Sequence, residues 1–123
     1  MSIEKLNLKI KYIKDLGKIE NERLVINVLK DDDIGLYGVF CTKAKNGDVY
    51  SNKMKNAFWF PDKETKTGDL VVLYTKNGNS SIRSNSDGTT SYFYYWGLNE
   101  PIWDKQEVGA VLFKVSDWMS YLK

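Results

Sequence analysis

The sequence predicts an all-β domain, a sandwich or a barrel of about eight or nine short strands, and three observations support this prediction. Apolar residues recur mostly with a period of two, as in residues 6–12, where leucine, isoleucine and tyrosine alternate with asparagine and lysine. Turn residues return about every 8–12 positions, and no convincing amphipathic helix interrupts them. With 123 residues, the chain has the length of one domain, which we expect to span residues 1–123.

The strand pattern recurs along the whole chain. After a first strand that ends before Gly17, the predicted strands cover residues 22–30, 36–42, 49–51, 57–60, 70–75, 92–96, 102–103 and 110–114. Asn46-Gly47 predicts a type I′ hairpin turn, because both central residues of that turn need a positive φ and Asn-Gly adopts it at little cost. The tail, residues 115–123, is predicted to form a last strand or a short helix.

Residues 76–91 interrupt this pattern with a long polar loop rich in Asn, Ser, Gly and Thr. A loop of about 15 residues inside a compact domain is uncommon, and such loops are usually functional or disordered. The segment contains Arg83, one of two arginines in the chain. Two interpretations follow: the segment is a recognition loop on a rigid scaffold, or it is a disordered, solvated loop.

The composition excludes several kinds of chemistry. The chain has no histidine, which removes Ser-His-Asp and Cys-His nucleophilic sites and the HExxH zinc helix. Its single cysteine, Cys41, excludes an internal disulfide and a cysteine-rich zinc site, and we interpret it as a small buried residue. The acidic residues 31–33 lack the spacing of a calcium loop and are predicted to be a solvated turn. We therefore expect no metal, no cofactor and no catalytic residue.

Aromatic residues make up 14% of the chain, and residues 92–96 are all aromatic. Because side chains alternate along a strand, one set of these rings enters the core and the other is exposed. Exposed tyrosine and tryptophan rings favour protein interfaces and stacking platforms for single-stranded nucleic acid or sugars. We predict a binding surface that combines the polar loop, this strand and a later tryptophan, made of Arg83, Tyr92, Tyr94, Trp96 and Trp103. The alternative is that the sheet covers one face of the strand and the loop covers the other.

Three pairs of stretches within residues 21–114 resemble the lamin-tail domain family. The first joins NERLVINV at 21–28 to IGLYGV at 34–39, the second joins FWFP at 58–61 to TGDLVVL at 67–73, and the third joins WD at 103–104 to GAVL at 109–112. The resemblance implies an immunoglobulin-like β-sandwich. It also implies a binding or scaffolding module rather than a catalyst.

Together these observations predict a small non-catalytic binding module that recognises a protein partner or a second copy of itself, as a homodimer. One alternative is binding of single-stranded nucleic acid or glycan through the aromatic strand. A net charge of +2, with 16 of the 18 basic residues being lysine, does not indicate nucleic acid. A second alternative is a carboxylate-based hydrolase, for which Glu100, Asp104 and Glu107 lie close together in sequence.

Location is predicted from three features of the sequence. The N-terminal residues lack the apolar run of a secretory signal, and no apolar stretch approaches the roughly 18 residues of a membrane span. A lone thiol fits a reducing compartment. We therefore expect no membrane partner and a cytoplasmic location.

Overall fold

The computed structural model describes residues 6–123, apart from the side chain of Ser51. Ten strands and a single-turn 3₁₀ helix, Ile34–Leu36, form this part of the chain. The strands are β1 (Leu8–Lys14), β2 (Arg23–Val28), β3 (Asp32–Asp33), β4 (Tyr37–Lys45), β5 (Asp48–Trp59), β6 (Glu64–Thr65), β7 (Leu70–Tyr74), β8 (Ser81–Ser84), β9 (Thr90–Tyr95) and β10 (Val108–Lys114).

Two larger sheets face each other. The first has five strands in the order β1-β2-β7-β9-β8, and the second has three in the order β10-β4-β5. The short strands β3 and β6 pair separately. All pairs are antiparallel except β7 and β9, which run parallel. After β7 the chain crosses to the sheet edge to form β8, and β9 then returns antiparallel to β8 into the position beside β7. The predicted all-β sandwich is confirmed, and its parallel β7–β9 pair departs from the antiparallel sheets of an immunoglobulin domain.

The core lies between the inner faces of the two sheets. In β2 the period of two places Leu24, Ile26 and Val28 there, opposite Val39 and Cys41 of β4. All five are at most 2% exposed. Burying an aliphatic side chain this completely contributes roughly 1.5–3 kcal/mol. This layer therefore holds the two sheets together and directs the alternate residues of each strand outward.

The β4–β5 hairpin has the predicted turn. Asn46 has a φ of 56° and Gly47 a φ of 82°, so both central residues are left-handed, as a type I′ turn requires. The turn connects Lys45 to Asp48, which are paired across the two strands. The Asn-Gly prediction is therefore confirmed.

The acidic triplet is tied into the fold, so its description as a solvated turn is wrong. Asp31 accepts a hydrogen bond from the backbone N–H of Thr67 at 2.8 Å. Asp33 caps the 3₁₀ helix by accepting from the N–H of Gly35 at 2.7 Å and also accepts from the N–H of Lys63 at 2.9 Å. These bonds join the segment before β4 to the loop after β5. Within residues 6–123, no group of three or more acidic or cysteine side chains is placed to hold a metal ion.

The tail after β10 has no regular structure, contrary to the expected strand or helix. Its first residue, Val115, donates a backbone hydrogen bond to the carbonyl of Leu36 at 2.7 Å. Beyond this point its apolar side chains are exposed. A segment this short does not form a stable helix alone, since isolated helices below about 12–15 residues are marginal in water.

Candidate functional site

Most of the predicted binding rings belong to the core. Tyr92 is 8% exposed, Tyr94 7% and Trp103 4%. Trp96 is half-buried and packs against the core, with its ring centroid 6.0 Å from that of Trp103. The prediction that these rings are exposed is wrong for Tyr92, Tyr94 and Trp103. Tyr92 and Tyr94 lie on the face of β9 that points toward the facing sheet, and Trp103, in the segment between β9 and β10, packs into the same core. The alternation itself was predicted correctly, but not which face is outside.

The polar segment 76–91 contains a strand, so the prediction of one continuous loop is wrong. Residues Ser81–Ser84 form β8 and pair with β9 along Thr90–Phe93. The turn between them is held by the side chains of Asn85 and Asp87, which bond to Thr89. Arg83 is exposed on this edge strand. It points outward, so the structure does not bring it together with the buried rings.

The outer face of the five-stranded sheet carries the second set of aromatic rings. We call Arg23, Tyr74, Arg83, Phe93 and Tyr95 the cationic face. The Tyr74 and Tyr95 rings stack with centroids 5.2 Å apart and an interplanar angle of 12°. The Arg83 guanidinium lies 5.2 Å from the Phe93 centroid, and that of Arg23 lies 5.8 Å from the Tyr74 centroid. Both arginines of the chain therefore lie over rings of this face.

These contacts leave little ring surface free on the cationic face. A Cβ added to Gly78 would lie 2.5 Å from the Tyr95 ring, so the chain backbone at Gly78 lies close against that ring. Arg23 is also neutralised by Asp15, with 2.9 Å between the charged groups. Stacking of bases or sugars requires open ring faces. The geometry of this face therefore gives little support to nucleic-acid or glycan stacking.

The outer face of the three-stranded sheet is uncharged and apolar. We call Phe40, Ala57, Trp59, Val111 and Phe113 the apolar face. Register places Val111, Phe40 and Ala57 in one row across β10, β4 and β5. Phe113 and Trp59 lie in the next row, and the Phe40 and Phe113 rings are 5.4 Å apart. Ala57 and Trp59 are exposed, whereas Phe40, Val111 and Phe113 are half-buried. Large apolar patches at a protein surface mark interaction sites.

Gly38 shapes the apolar face by its lack of a side chain. It lies between Phe113 and Trp59 in the same row. A Cβ at this position would overlap the Phe113 ring, so glycine allows that ring to lie flat across β4. The result is a shallow surface with rings at both ends.

The rim of the apolar face continues onto the tail. Trp59 is 46% exposed, and its indole N–H donates to the carbonyl of Gly35 at 2.8 Å, which sets the orientation of the ring. Trp118 is 66% exposed and contacts Trp59 edge to face. The exposed apolar side chains that follow it are Met119, Tyr121 and Leu122. The apolar surface therefore extends beyond the sheet.

Two segments of the sequence indicate the apolar face, although an alternation of apolar and polar residues does not reveal it. Residues 36–41 and 110–113 are almost continuously apolar. A strand that is apolar on both faces in a two-layer sandwich presents one of those faces to something other than the core. Phe40, Val111 and Phe113 were missed for this reason.

The three carboxylates considered for hydrolysis do not gather in one cleft. Glu100 lines a cleft beside β4, whereas Asp104 and Glu107 are not among its lining residues. Asp104 instead lies 3.7 Å from the ammonium of Lys105. Hydrolysis by paired acids needs two carboxyl groups that face one another across the substrate. The described part of the chain offers no such pair in this cleft.

Comparison with known proteins identifies no relative of the chain. No protein-family model, no curated protein and no solved structure matches the chain. Across residues 6–123, none of the helical structure has the length and apolar character to cross a membrane. The fold and the two outer sheet faces are thus the basis for any functional conclusion.

Proposed function

We propose that the protein is a small, non-catalytic interaction module that binds a protein partner through the apolar face. The observation that carries this proposal is the row structure of that face, in which Phe40, Ala57, Trp59, Val111 and Phe113 lie together with no charged side chain among them. Covering such a surface contributes roughly 25 cal/mol for each Å² of apolar area removed from water.

A protein surface is the favoured ligand class because the apolar face is neutral. Nucleic acid is bound through phosphate contacts from lysine and arginine, which this face lacks. The chain's arginines, Arg23 and Arg83, lie on the opposite outer face, over rings that they already cover. Aromatic anchors such as Trp59 are typical centres of protein interfaces.

We infer that the module is of the lamin-tail type and acts in the cytoplasm. The sequence resemblance over residues 21–114 and the two-sheet sandwich support the first inference. Cys41, a buried free thiol, supports the second. Fractionation of the native host with an antibody to the chain tests the location, and recovery with exported or membrane material would contradict it.

The test of the proposed function is capture with two matched variants. Ala57→Glu places a charge in the centre of the apolar face, and Ser81→Glu places the same charge on the outer face of the other sheet. Both positions are exposed strand residues, so neither change disturbs the core. The chain and its variants are immobilised and exposed to nuclease-treated extract of the native host.

We expect the wild-type chain and Ser81→Glu to retain the same protein and Ala57→Glu to retain at least about tenfold less, as loss of a central interface contact does. Retention should change little with salt, since no phosphate contacts are involved. Equal retention by Ala57→Glu, or a protein that is retained only when the nuclease treatment is left out, would contradict the proposal. If the retained protein is the chain itself, the module is a homodimer.

A further inference from the structure

A cleft of about 680 Å³ opens at one end of the sandwich, on the core side of β4 and away from the apolar face. Its walls come from β4, β5, the segment after β9 and the start of β10. The residues that line it include Cys41, Lys55, Asn56, Asn99, Ile102 and Val108. Small-molecule sites in proteins have volumes of roughly 300–1,000 Å³, so this cleft has a suitable size.

The floor of the cleft is apolar. Cys41 is buried, and Ile102 and Val108 are half-buried beside it. Segment 98–103 is held against the sandwich by the buried carboxylate of Glu22, which accepts from the N–H of Ile102 at 2.9 Å. Because the donor is a backbone N–H, this bond fixes the position of the wall relative to the sandwich.

The rim of the cleft carries charges of both signs. Lys55, Lys105 and Glu100 line it. Lys105 lies 3.7 Å from Asp104, whereas Lys55 makes no ion pair within residues 6–123. Burial raises the pKa of the Cys41 thiol at the floor, the charge of Lys55 opposes that shift, and the buried carboxylate of Glu22 adds to it.

We propose that this cleft binds a small organic anion, with an apolar body on the floor formed by Cys41, Ile102 and Val108 and its anionic head at Lys55. The amides of Asn56 and Asn99 are available to donate hydrogen bonds to the head. An unpaired ammonium above an apolar floor complements a ligand that is apolar at one end and negative at the other. This site is separate from the apolar face and does not depend on the proposed function.

The test compares three probes of the same shape and different charge, namely 2-naphthoate, 2-naphthamide and 2-naphthylmethylammonium. Binding to the ¹⁵N-labelled chain is followed by two-dimensional amide spectra. We expect naphthoate to shift the amides of Asn56, Asn99 and Ile102 and to bind about two- to fivefold more tightly than naphthamide, the size that a solvent-accessible ion pair gives. The ammonium probe should bind more weakly than either.

Two lysine variants assign the charge preference. Lys55→Met keeps most of the apolar stem and removes the charge, so it should abolish the preference for naphthoate over naphthamide. Lys53→Met makes the same change on the same strand at a residue that does not line the cleft, and should leave the preference intact. The amide spectrum of each variant reports whether it is folded.

The wild-type measurements decide the proposal even if a variant fails to fold. Absence of binding at the solubility limit of the probes would overturn it. Equal affinity for the three probes, or shifts confined to the apolar face, would overturn it as well. A charge preference that survives Lys55→Met would place the anion at another group and contradict the assignment.

Discussion

The indole rings of Trp59 and Trp118 meet edge to face, with their centroids 5.0 Å apart and an interplanar angle of 88°. Trp59 ends β5 at the rim of the apolar face, and Trp118 belongs to the tail. This contact and the bond from Val115 to Leu36 attach the tail beside the apolar face. The tail therefore lies beside the apolar face, in a position to contact a partner bound there.

Trp118→Ala should release the tail without unfolding the domain. Since both rings are largely exposed, we expect a stability change within about 0.5 kcal/mol. The contribution of the Trp59–Trp118 pair to the exciton-coupled circular dichroism should be lost, leaving that of the Trp96–Trp103 pair, and proteolysis after Lys114 should accelerate. Tyr121→Ala removes a more exposed tail ring that has no aromatic contact among the described residues and should change neither signal. An unchanged band in Trp118→Ala would show that the indole contact is not made in solution.

Glu22 is fully buried, and its carboxylate accepts four hydrogen bonds. The donors are the N–H of Gly17 at 2.9 Å, the hydroxyl of Thr75 at 2.6 Å, and the N–H groups of Ile102 and Trp103 at 2.9 and 3.4 Å. Glu22→Gln replaces one acceptor oxygen by an NH₂ group that faces donors. Because each buried donor left unpaired costs about 1–3 kcal/mol, we expect a loss of about 2–4 kcal/mol in urea denaturation.

The matched control for Glu22 is Glu20→Gln. Glu20 is exposed and lies 3.5 Å from the ammonium of Lys76. An exposed ion pair contributes at most about 1 kcal/mol, so this variant should be close to wild type in stability. Equal effects of the two substitutions would mean that Glu22 does not make the network described.

Asp32 joins the sheets through its side chain. The Tyr37 hydroxyl donates to it at 2.8 Å, the Asn7 amide at 3.0 Å and the Lys114 ammonium at 3.0 Å. Burial raises the pKa of Asp32, but these bonds outweigh it and hold the pKa below 3.8. We expect Asp32→Asn to cost about 2 kcal/mol, as hydrogen bonds to a charged group do, and Asp31→Asn, at an exposed position, to cost less.

The pH dependence of the Asp32 contribution has a definite sign. A carboxyl whose pKa is lower in the folded state stabilises the fold above its unfolded pKa of about 3.8, and this contribution is lost as the pH falls through the folded pKa. Acid titration of stability should therefore be less steep in Asp32→Asn than in the wild type. Parallel acid titrations of the two proteins would contradict this assignment.

Tyr94 should make the fold sensitive to alkali. Burial, followed by the charges of Tyr92 and Asp33, raises the pKa of Tyr94 from 10.0 to about 12. A group whose pKa is raised on folding stabilises the fold below its unfolded pKa, so stability should fall as the pH rises from 10.0 toward 12. Tyr94→Phe keeps the ring and should reduce this alkaline loss by about 1–2 kcal/mol.

Urea denaturation of Tyr94→Phe and wild type at neutral and alkaline pH measures this difference. Tyr121→Phe, at an exposed position, serves as the control and should follow the wild type at every pH. A wild-type midpoint that stays constant up to the alkaline limit would contradict the raised pKa.

The sequence was sufficient to predict the all-β class and the Asn46-Gly47 hairpin, because both depend on local pattern. It was not sufficient to decide which side of β9 faces the core. Residues 92–96 are aromatic on both sides, so the alternation that separates Tyr92 from Phe93 gives no contrast in polarity. Tertiary packing determines which side of β9 faces the core, and it places Tyr92 and Tyr94 beside Val71 and Leu73 of the neighbouring strand.

Strand β8 was unpredictable for a different reason. Ser81–Ser84 has only Ile82 as an apolar residue, and all four residues are exposed, so no periodic pattern marks it. It forms because the free edge of β9 has backbone groups to pair and the turn at Asn85 returns the chain to it. Edge strands of low apolar content are common in native sheets, since they discourage pairing with other chains.

Site-specific photo-crosslinking tests the central claim, that the apolar face binds a protein. A benzophenone amino acid is placed at Ala57, in the centre of the apolar face, or at Ser81, on the outer face of the other sheet, and the native host is irradiated. We predict a discrete protein adduct from position 57 and none from position 81. An adduct from position 81 without one from position 57, or no protein adduct from position 57, would contradict the claim.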